Sequence, residues 1–168
     1  MKNVAFTLVT ALVISSHTQA SILWQGNFET GDIQQWDTPI NPAGLSVTSA
    51  CVFDGKYAGK VRLTGDESFL WNGNKQLNRS EFHHRRTAGE TYEGKDTFFA
   101  FSFYLPKQLS EHKHELGYWE SDKSWQQMLR FNISGSELSF QETAAKEVLW
   151  KLPKGAAPGQ WHRVALHI

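Results

Sequence analysis

The stretch NRSEFHHRR, residues 78–86, concentrates side chains that can do chemistry. If it forms a β-strand, its side chains alternate between two faces, so Arg79, Glu81 and His83 share one face and Phe82 lies on the other. Arginine can bind a carboxylate, histidine can transfer a proton, and glutamate can orient both groups. The spacing therefore predicts a polar site on one face and a core anchor on the other. The alternative is an ordinary solvated face with cross-strand ion pairs.

The clearest alternation in the chain is in residues 97–105, which predict a strand that ends before Pro106. Its core row consists of four apolar residues, Phe99, Phe101, Phe103 and Leu105. Tyr104 lies on the opposite face of this strand. If this strand and the 78–85 strand share a sheet, Tyr104 joins the polar site and can transfer protons there.

Residues 125–133 predict another strand, which adds amide and cationic side chains. Alternation places Arg130 and Asn132 on the open face together with Gln126, whereas Gln127 faces the core. A single β-bulge would reverse the two glutamines. Both Gln126 and Gln127 therefore remain candidates for binding a carboxylate, and Arg130 and Asn132 are candidate substrate-binding residues.

The elements that must position these residues are mostly short strands with turn signals between them. This pattern predicts an all-β fold, a jelly-roll β-sandwich of two antiparallel sheets. A charged loop is expected over residues 107–124. Further strands are expected over residues 21–28, 46–53, 57–63, 137–143, 147–152 and 161–168.

Residues 1–20 have the layout of a secretory signal peptide, with a basic start, an apolar run of eleven residues and a small-residue exit at Ala20. We therefore expect a secreted or periplasmic domain over residues 21–168. The whole chain has 17 basic and 17 acidic residues, which argues against a nucleic-acid partner. Cys51, the single cysteine, cannot form an internal disulfide. After removal of the leader we expect no membrane association, and we expect a monomer.

Metal and cofactor signals are weak, and we expect no cofactor. Glu29 and Asp32 could supply carboxylates to a structural calcium ion, although capping of the adjacent turn accounts for them more simply. The two histidines of EHKHE, residues 111–115, could bind a metal, but a metal site needs further ligands from elsewhere in the chain. A solvated charged loop is therefore the preferred interpretation. Four tryptophans could stack on sugar rings, and Trp119 is the best candidate because it lies in the polar loop; the other three are Trp71, Trp125 and Trp150.

The opening GNFETGDIQQWD, residues 26–37, resembles that of secreted concanavalin-like jelly-roll proteins. NRSE, then DTFFAFSFYLP and finally GQWHRVALHI resemble, in this order, the heparin-lyase-I-like polysaccharide lyases, which include the glucuronan lyases. The resemblance runs from about Trp24 to Ile168. It implies a concave groove that binds an acidic polysaccharide, and β-elimination at a uronic acid.

The resemblance also implies roles for individual residues. Arg79 and Glu81 match the family's R-x-E strand, His83 follows as the base or its orienting group, and a neighbouring glutamine binds the carboxylate. The family's catalytic tyrosine lies further along than Ile168, so the resemblance implies a partial domain whose activity is in doubt. Tyr104 is the candidate replacement.

Two other classes of function differ from a lyase in the residues that they require. A glycoside hydrolase would need two carboxylates at the groove centre, and no E-x-x-x-E or E-x-D spacing falls within a predicted strand; those at residues 111–115 and 120–122 lie in the predicted charged loop. The alternative is a non-catalytic, lectin-like carbohydrate-binding module that uses the same concave face.

Overall fold

The computed structural model of the protein describes residues 21–63, 69–71, 75–85 and 94–168. Within these residues the fold is all-β, with one short 3-10 turn at Pro42–Gly44. The ten strands of the described part are β1 Leu45–Thr48, β2 Ala58–Val61, β3 Phe69–Trp71, β4 Lys75–Leu77, β5 Phe98–Tyr104, β6 His114–Glu120, β7 Gln127–Ser134, β8 Glu137–Glu142, β9 Val148–Leu152 and β10 Trp161–His167.

The largest sheet joins β6, β7, β8 and β9 in that order, each strand antiparallel to the next. Its inner face carries two fully buried apolar side chains, Phe131 and Ile133, which are 1% and 0% exposed. The turn between β7 and β8 contains Gly135 at φ +58°, a left-handed backbone conformation that glycine adopts without steric cost.

A second sheet pairs β5 with β10, also antiparallel, from Phe98 opposite His167 to Tyr104 opposite Trp161. The apolar row of β5 packs onto the large sheet, and the Phe101 and Phe131 rings lie 5.7 Å apart. The core therefore lies between the two sheets, as the alternation of β5 predicts, and the jelly-roll β-sandwich prediction is confirmed. The core residues of the described part are Leu105, Phe131, Ile133, Leu138 and Ala156.

Two further pairs, β1 with β2 and β3 with β4, are antiparallel as well. The β1–β2 hairpin confirms the strands predicted around the Asp54-Gly55 turn, although each strand is shorter than expected. Residues 21–28 form no strand, so that prediction is wrong. The chain there instead supplies aromatic side chains, including Trp24 and Phe28, to a cluster beneath the 78–85 segment.

Two predictions near the site, one of a strand and one of a loop, are also wrong. Residues 78–85 are extended, but their only β-bridge in the described part joins Glu81 to Ile40. The charged loop expected over residues 107–124 contains the seven-residue strand β6. The charged residues of β6 led to the prediction of a loop. They lie on the polar face of the strand, on the open side of the large sheet.

Residues 1–20, which carry the signal-peptide prediction, lie outside the described residues, and so does Arg86 at the end of the opening stretch. In the part of the chain that the structure describes, no helix is both long enough and apolar enough to cross a membrane.

Candidate functional site

The 78–85 segment keeps its two-faced character without belonging to a sheet. Glu81 and Ile40 exchange two backbone hydrogen bonds of 3.0 Å, and the Thr38 N–H donates to the His83 carbonyl at 3.2 Å. These bonds hold the backbone extended, so alternate side chains point to opposite sides. The segment therefore has two faces, as predicted, although it is not a strand of a sheet.

One face of the segment anchors it to the protein. The Phe82 ring lies 4.9 Å from Phe28 and 5.5 Å from Trp36. The His84 ring stacks on Trp24 at 4.0 Å between centroids, with an interplanar angle of 12°. This face therefore packs against a small aromatic cluster, which fixes the height and direction of the side chains on the opposite face.

The other face presents a compact polar cluster. Arg79 Nε lies 2.7 Å from Glu81 Oε1, and Arg79 Nη2 donates to Glu81 Oε2 at 3.2 Å. The same Glu81 Oε2 accepts a hydrogen bond from the Tyr118 hydroxyl of β6. Glu81 thus joins the arginine of the extended segment to a tyrosine of the large sheet, and we call Arg79, Glu81, His83 and Tyr118 the polar cluster.

The environment of the polar cluster keeps Tyr118 protonated and His83 neutral. Burial raises the pKa of Tyr118, and its hydrogen bond to the Glu81 carboxylate raises it further. Burial lowers the pKa of His83 below its ordinary value of 6.5, against the opposing effect of Glu81. The His83 and Tyr118 ring centroids are 6.0 Å apart. A proton acceptor and a proton donor therefore lie side by side.

The open face of the large sheet, on the side away from the core, continues this polar surface. The strand register places Tyr118 opposite Arg130 and Arg130 opposite Gln141. The neighbouring row consists of Glu115, Asn132, Ser139 and Lys151. Arg130 Nη1 lies 3.1 Å from Glu115 Oε1. Arg130 and Asn132 are thus on the face where alternation predicted them.

A bulge decides between the two candidate glutamines. The register runs from Trp119 opposite Leu129 directly to Glu120 opposite Gln127, and so skips Met128. This shift turns Gln127 towards the open face, where its amide donates to Glu115 Oε2 at 3.2 Å. Gln126 precedes β7 and is exposed. The alternation that favoured Gln126 for the open face is therefore wrong, and Gln127 joins the site residues.

Tyr104 does not share this surface, and that prediction is wrong. Its strand β5 pairs with β10 in the described part of the chain, not with residues 78–85. Its ring contacts Trp161 at 5.7 Å, on the face of β5 that points away from the core. The open face of β6 and β7 lies on the other side of the core, so the sandwich separates Tyr104 from the polar cluster.

Trp119 is also not placed to stack on a sugar ring, contrary to the prediction. Its ring lies 5.5 Å from Phe99 and 5.7 Å from Phe140 and packs against the core. Trp125 is 49% exposed in the β6–β7 turn, and the Arg85 guanidinium lies 4.7 Å above its ring. Trp125 is therefore better placed than Trp119 to meet a ligand at the end of the cluster. Trp150 lies on β9 and is 45% exposed, whereas the side chain of Trp71 lies outside the described residues.

Sequence reasoning missed three site residues because all lie on β6, which was predicted to be a loop: Glu115, Tyr118 and Glu120. Burial raises the pKa of Glu120, against the attraction of Arg79. Simple alternation in HELGYWE, residues 114–120, could not have found them, because the core residues Leu116 and Trp119 are three positions apart and bulges interrupt the register of β6.

No group of three or more potential metal ligands occurs among the described His, Cys, Asp and Glu residues. The carboxylate of Glu29 accepts the backbone N–H groups of Lys56 and Tyr57 at 3.0 to 3.1 Å. Asp32 accepts from the Gln34 N–H at 3.0 Å. Both carboxylates hold turns together, which was the simpler interpretation of these residues.

Residues 28–168 match the family model described as Polysaccharide lyase. The match covers most of the chain, and the protein belongs to the polysaccharide lyase family. No curated protein and no solved structure matches the chain.

Proposed function

We propose that the protein cleaves a uronate-containing polysaccharide by β-elimination, in the manner of the heparin-lyase-I-like and glucuronan lyases that its motifs resemble. The observation that carries the proposal is the polar cluster. It holds a neutral histidine, a protonated tyrosine and an arginine–glutamate pair next to the open face of a sheet. Membership of the polysaccharide lyase family supports the reaction class.

The roles follow from the chemistry of the reaction. The proton on C5 of a uronic acid is weakly acidic, and the neighbouring carboxylate must be bound by donors before it can accept further negative charge. Arg79 and Gln127 are the proposed donors. The Arg79 guanidinium can bind a carboxylate in a bidentate geometry, and its two contacts with Glu81 fix its position.

His83 is the proposed base, because its lowered pKa leaves the imidazole free to accept a proton at neutral pH. It takes the C5 proton, and the C–H electron pair becomes the C4–C5 double bond as the C4–O4 bond breaks. Tyr118 is the proposed acid that protonates the departing O4. Of the tyrosines in the described part of the chain, it is the one in the polar cluster.

The test is to incubate the protein with glucuronan, alginate and heparin and to follow the ultraviolet absorbance of the unsaturated uronide. His83→Ala should abolish product formation and leave the fold intact by circular dichroism. His112→Ala is a matched control, since His112 is an exposed histidine of the turn before β6. Binding of these polymers without any unsaturated product would instead favour the lectin-like alternative.

We further propose that the protein is exported, on the strength of the leader pattern in residues 1–20. An exported form whose N-terminus follows Ala20 is the expected result of N-terminal sequencing after expression of the whole chain. Retention of residues 1–20 in the mature protein would contradict this proposal.

A further inference from the structure

A pocket lies on the open face of the large sheet, one row beyond Tyr118 and Arg130. Its volume is about 380 Å3, and its polar lining includes Asn132, Ser139 and Gln141 together with two lysines, Lys113 and Lys151, and two glutamates, Glu111 and Glu137. The rows are two residues apart along β7, which corresponds to about 7 Å along a strand. The pocket is thus close to the polar cluster but is built from different side chains.

The floor of this pocket holds a polar group whose hydrogen bonding is not satisfied. Asn132 is 1% exposed, and neither its amide nitrogen nor its amide oxygen has a hydrogen-bond partner in the described part of the chain. A buried amide without partners destabilises the folded protein by roughly 1–3 kcal/mol. An apolar residue at this position of a central strand would avoid that cost, so the amide indicates an external partner.

The groups around Asn132 define the chemistry of that partner. The Asn132 amide offers both donors and an acceptor, which suits neighbouring hydroxyl groups that do the same. Ser139 lies next to it in the strand register. At the rim, Lys113 Nζ donates to Gln141 Oε1 at 3.2 Å, a neutral partner, whereas Lys151 is paired with Glu137 at 2.8 Å. Lys113 therefore forms no ion pair within the described residues, and its ammonium group can bind an anionic substituent.

We propose that this pocket is a second sugar-binding subsite, in which Asn132 binds ring hydroxyls and Lys113 binds the carboxylate of an adjoining uronic acid. The choice of a uronate as the ligand of this subsite rests on the proposed function. Asn132 at the pocket floor would fix the position of the polysaccharide along the sheet. The polar cluster would then act on a glycosidic bond one or two sugar units away.

The direct test is nuclear magnetic resonance of the protein with 15N-labelled side-chain amides, titrated with uronate oligosaccharides and, separately, with neutral oligosaccharides of equal length. The His83→Ala protein is used so that the ligands stay intact. The Asn132 amide signals should shift with uronates and shift less with neutral sugars. If these signals do not move with any saccharide, the subsite is overturned.

Variants separate the subsite from the catalytic proposal. Asn132→Ala should leave the midpoint of unfolding unchanged or higher, because it removes an unsatisfied buried group, and should weaken binding of long uronate oligosaccharides about tenfold. Lys113→Gln should weaken binding of uronates but not of neutral sugars. Lys146→Gln, an exposed lysine of the β8–β9 turn, should change neither.

The two proposals can fail separately. If the parent protein forms no unsaturated product but its Asn132 signals still shift, the elimination proposal fails and the subsite stands. If product forms, and Asn132→Ala cleaves long and short substrates with the same KM as the parent, the subsite fails and the elimination proposal stands.

Discussion

At the scale of single residues, the environment of His83 predicts how activity depends on pH. Burial lowers the pKa of His83 below 6.5, so the imidazole stays neutral until the pH falls below that value. A base must be unprotonated to act, and the acidic limb of kcat/KM should therefore lie below pH 6.5. A pH–rate profile on a uronate polymer checks this. An acidic limb above pH 6.5 would contradict the role given to His83.

Glu81 is the residue on which two others depend, because its carboxylate contacts both Arg79 and Tyr118. Glu81→Gln removes the negative charge but keeps the shape. We expect the pKa of Tyr118 to fall yet to stay above its ordinary value of 10.0, since burial is the larger cause of its shift. Titration of the tyrosine absorbance, with wild-type protein as reference, measures this change.

The same substitution should lower kcat/KM by about tenfold or more, because Arg79 loses a charge-assisted partner and its orientation. Glu147→Gln, an exposed glutamate of the β8–β9 turn, is the matched control and should have little effect. Equal activity of the Glu81→Gln and wild-type proteins would remove Glu81 from the site.

At the scale of elements, the 78–85 segment depends on aromatic packing because it lacks a sheet partner along its length. Phe82→Ala should destabilise the protein by about 2 kcal/mol, less than the roughly 3–5 kcal/mol of a fully buried phenylalanine, because Phe82 is only half-buried. Chemical denaturation measures the change. Phe82→Leu should recover part of the loss, and a Phe82→Ala protein as stable as wild type would show that the cluster does not anchor the segment.

The sequence predicts elements well where one face is uniformly apolar. The apolar residues at alternate positions of residues 97–105 identify a core row, and the structure packs Phe101, Phe103 and Leu105 into the core together with Phe131 of β7. The same reasoning fails for β6, whose open face is charged and whose register is interrupted by bulges. It also fails for Gln127, because a bulge depends on the pairing of two strands and leaves no periodic mark in either one.

Site residues, too, could be predicted where alternation within one segment decides, and could not be predicted where the pairing of distant segments decides. Arg79, Glu81 and His83 could be assigned to one face because alternation holds for any extended backbone, whether or not it is paired. Tyr118 could not be assigned, since it meets Glu81 across 37 residues of chain. Tyr104 was assigned wrongly for a related reason: its face of β5 was known from alternation, but the sheet to which β5 belongs was not.

At the scale of the whole molecule, charge balance limits how an acidic polymer can be recognised. The chain has 17 basic and 17 acidic residues, so it has no net charge to attract a polyanion over long distances. Recognition must depend on short-range contacts such as those of Arg79 and Lys113. In the polar cluster and the pocket beside it, carboxylates lie next to most of the cations, for example Glu81 next to Arg79 and Glu137 next to Lys151.

This balance predicts a weak dependence of binding on salt. Between about 0.1 M and 1 M salt the screening length falls from about 10 Å to about 3 Å, which suppresses long-range attraction and leaves close, partly buried pairs less affected. We expect the KM for a uronate polymer to rise by less than about tenfold over this range. Steady-state kinetics at several salt concentrations measures it, with Lys113→Gln as the comparison. A much steeper rise would mean that the polymer is held by diffuse surface charge and not by the built site.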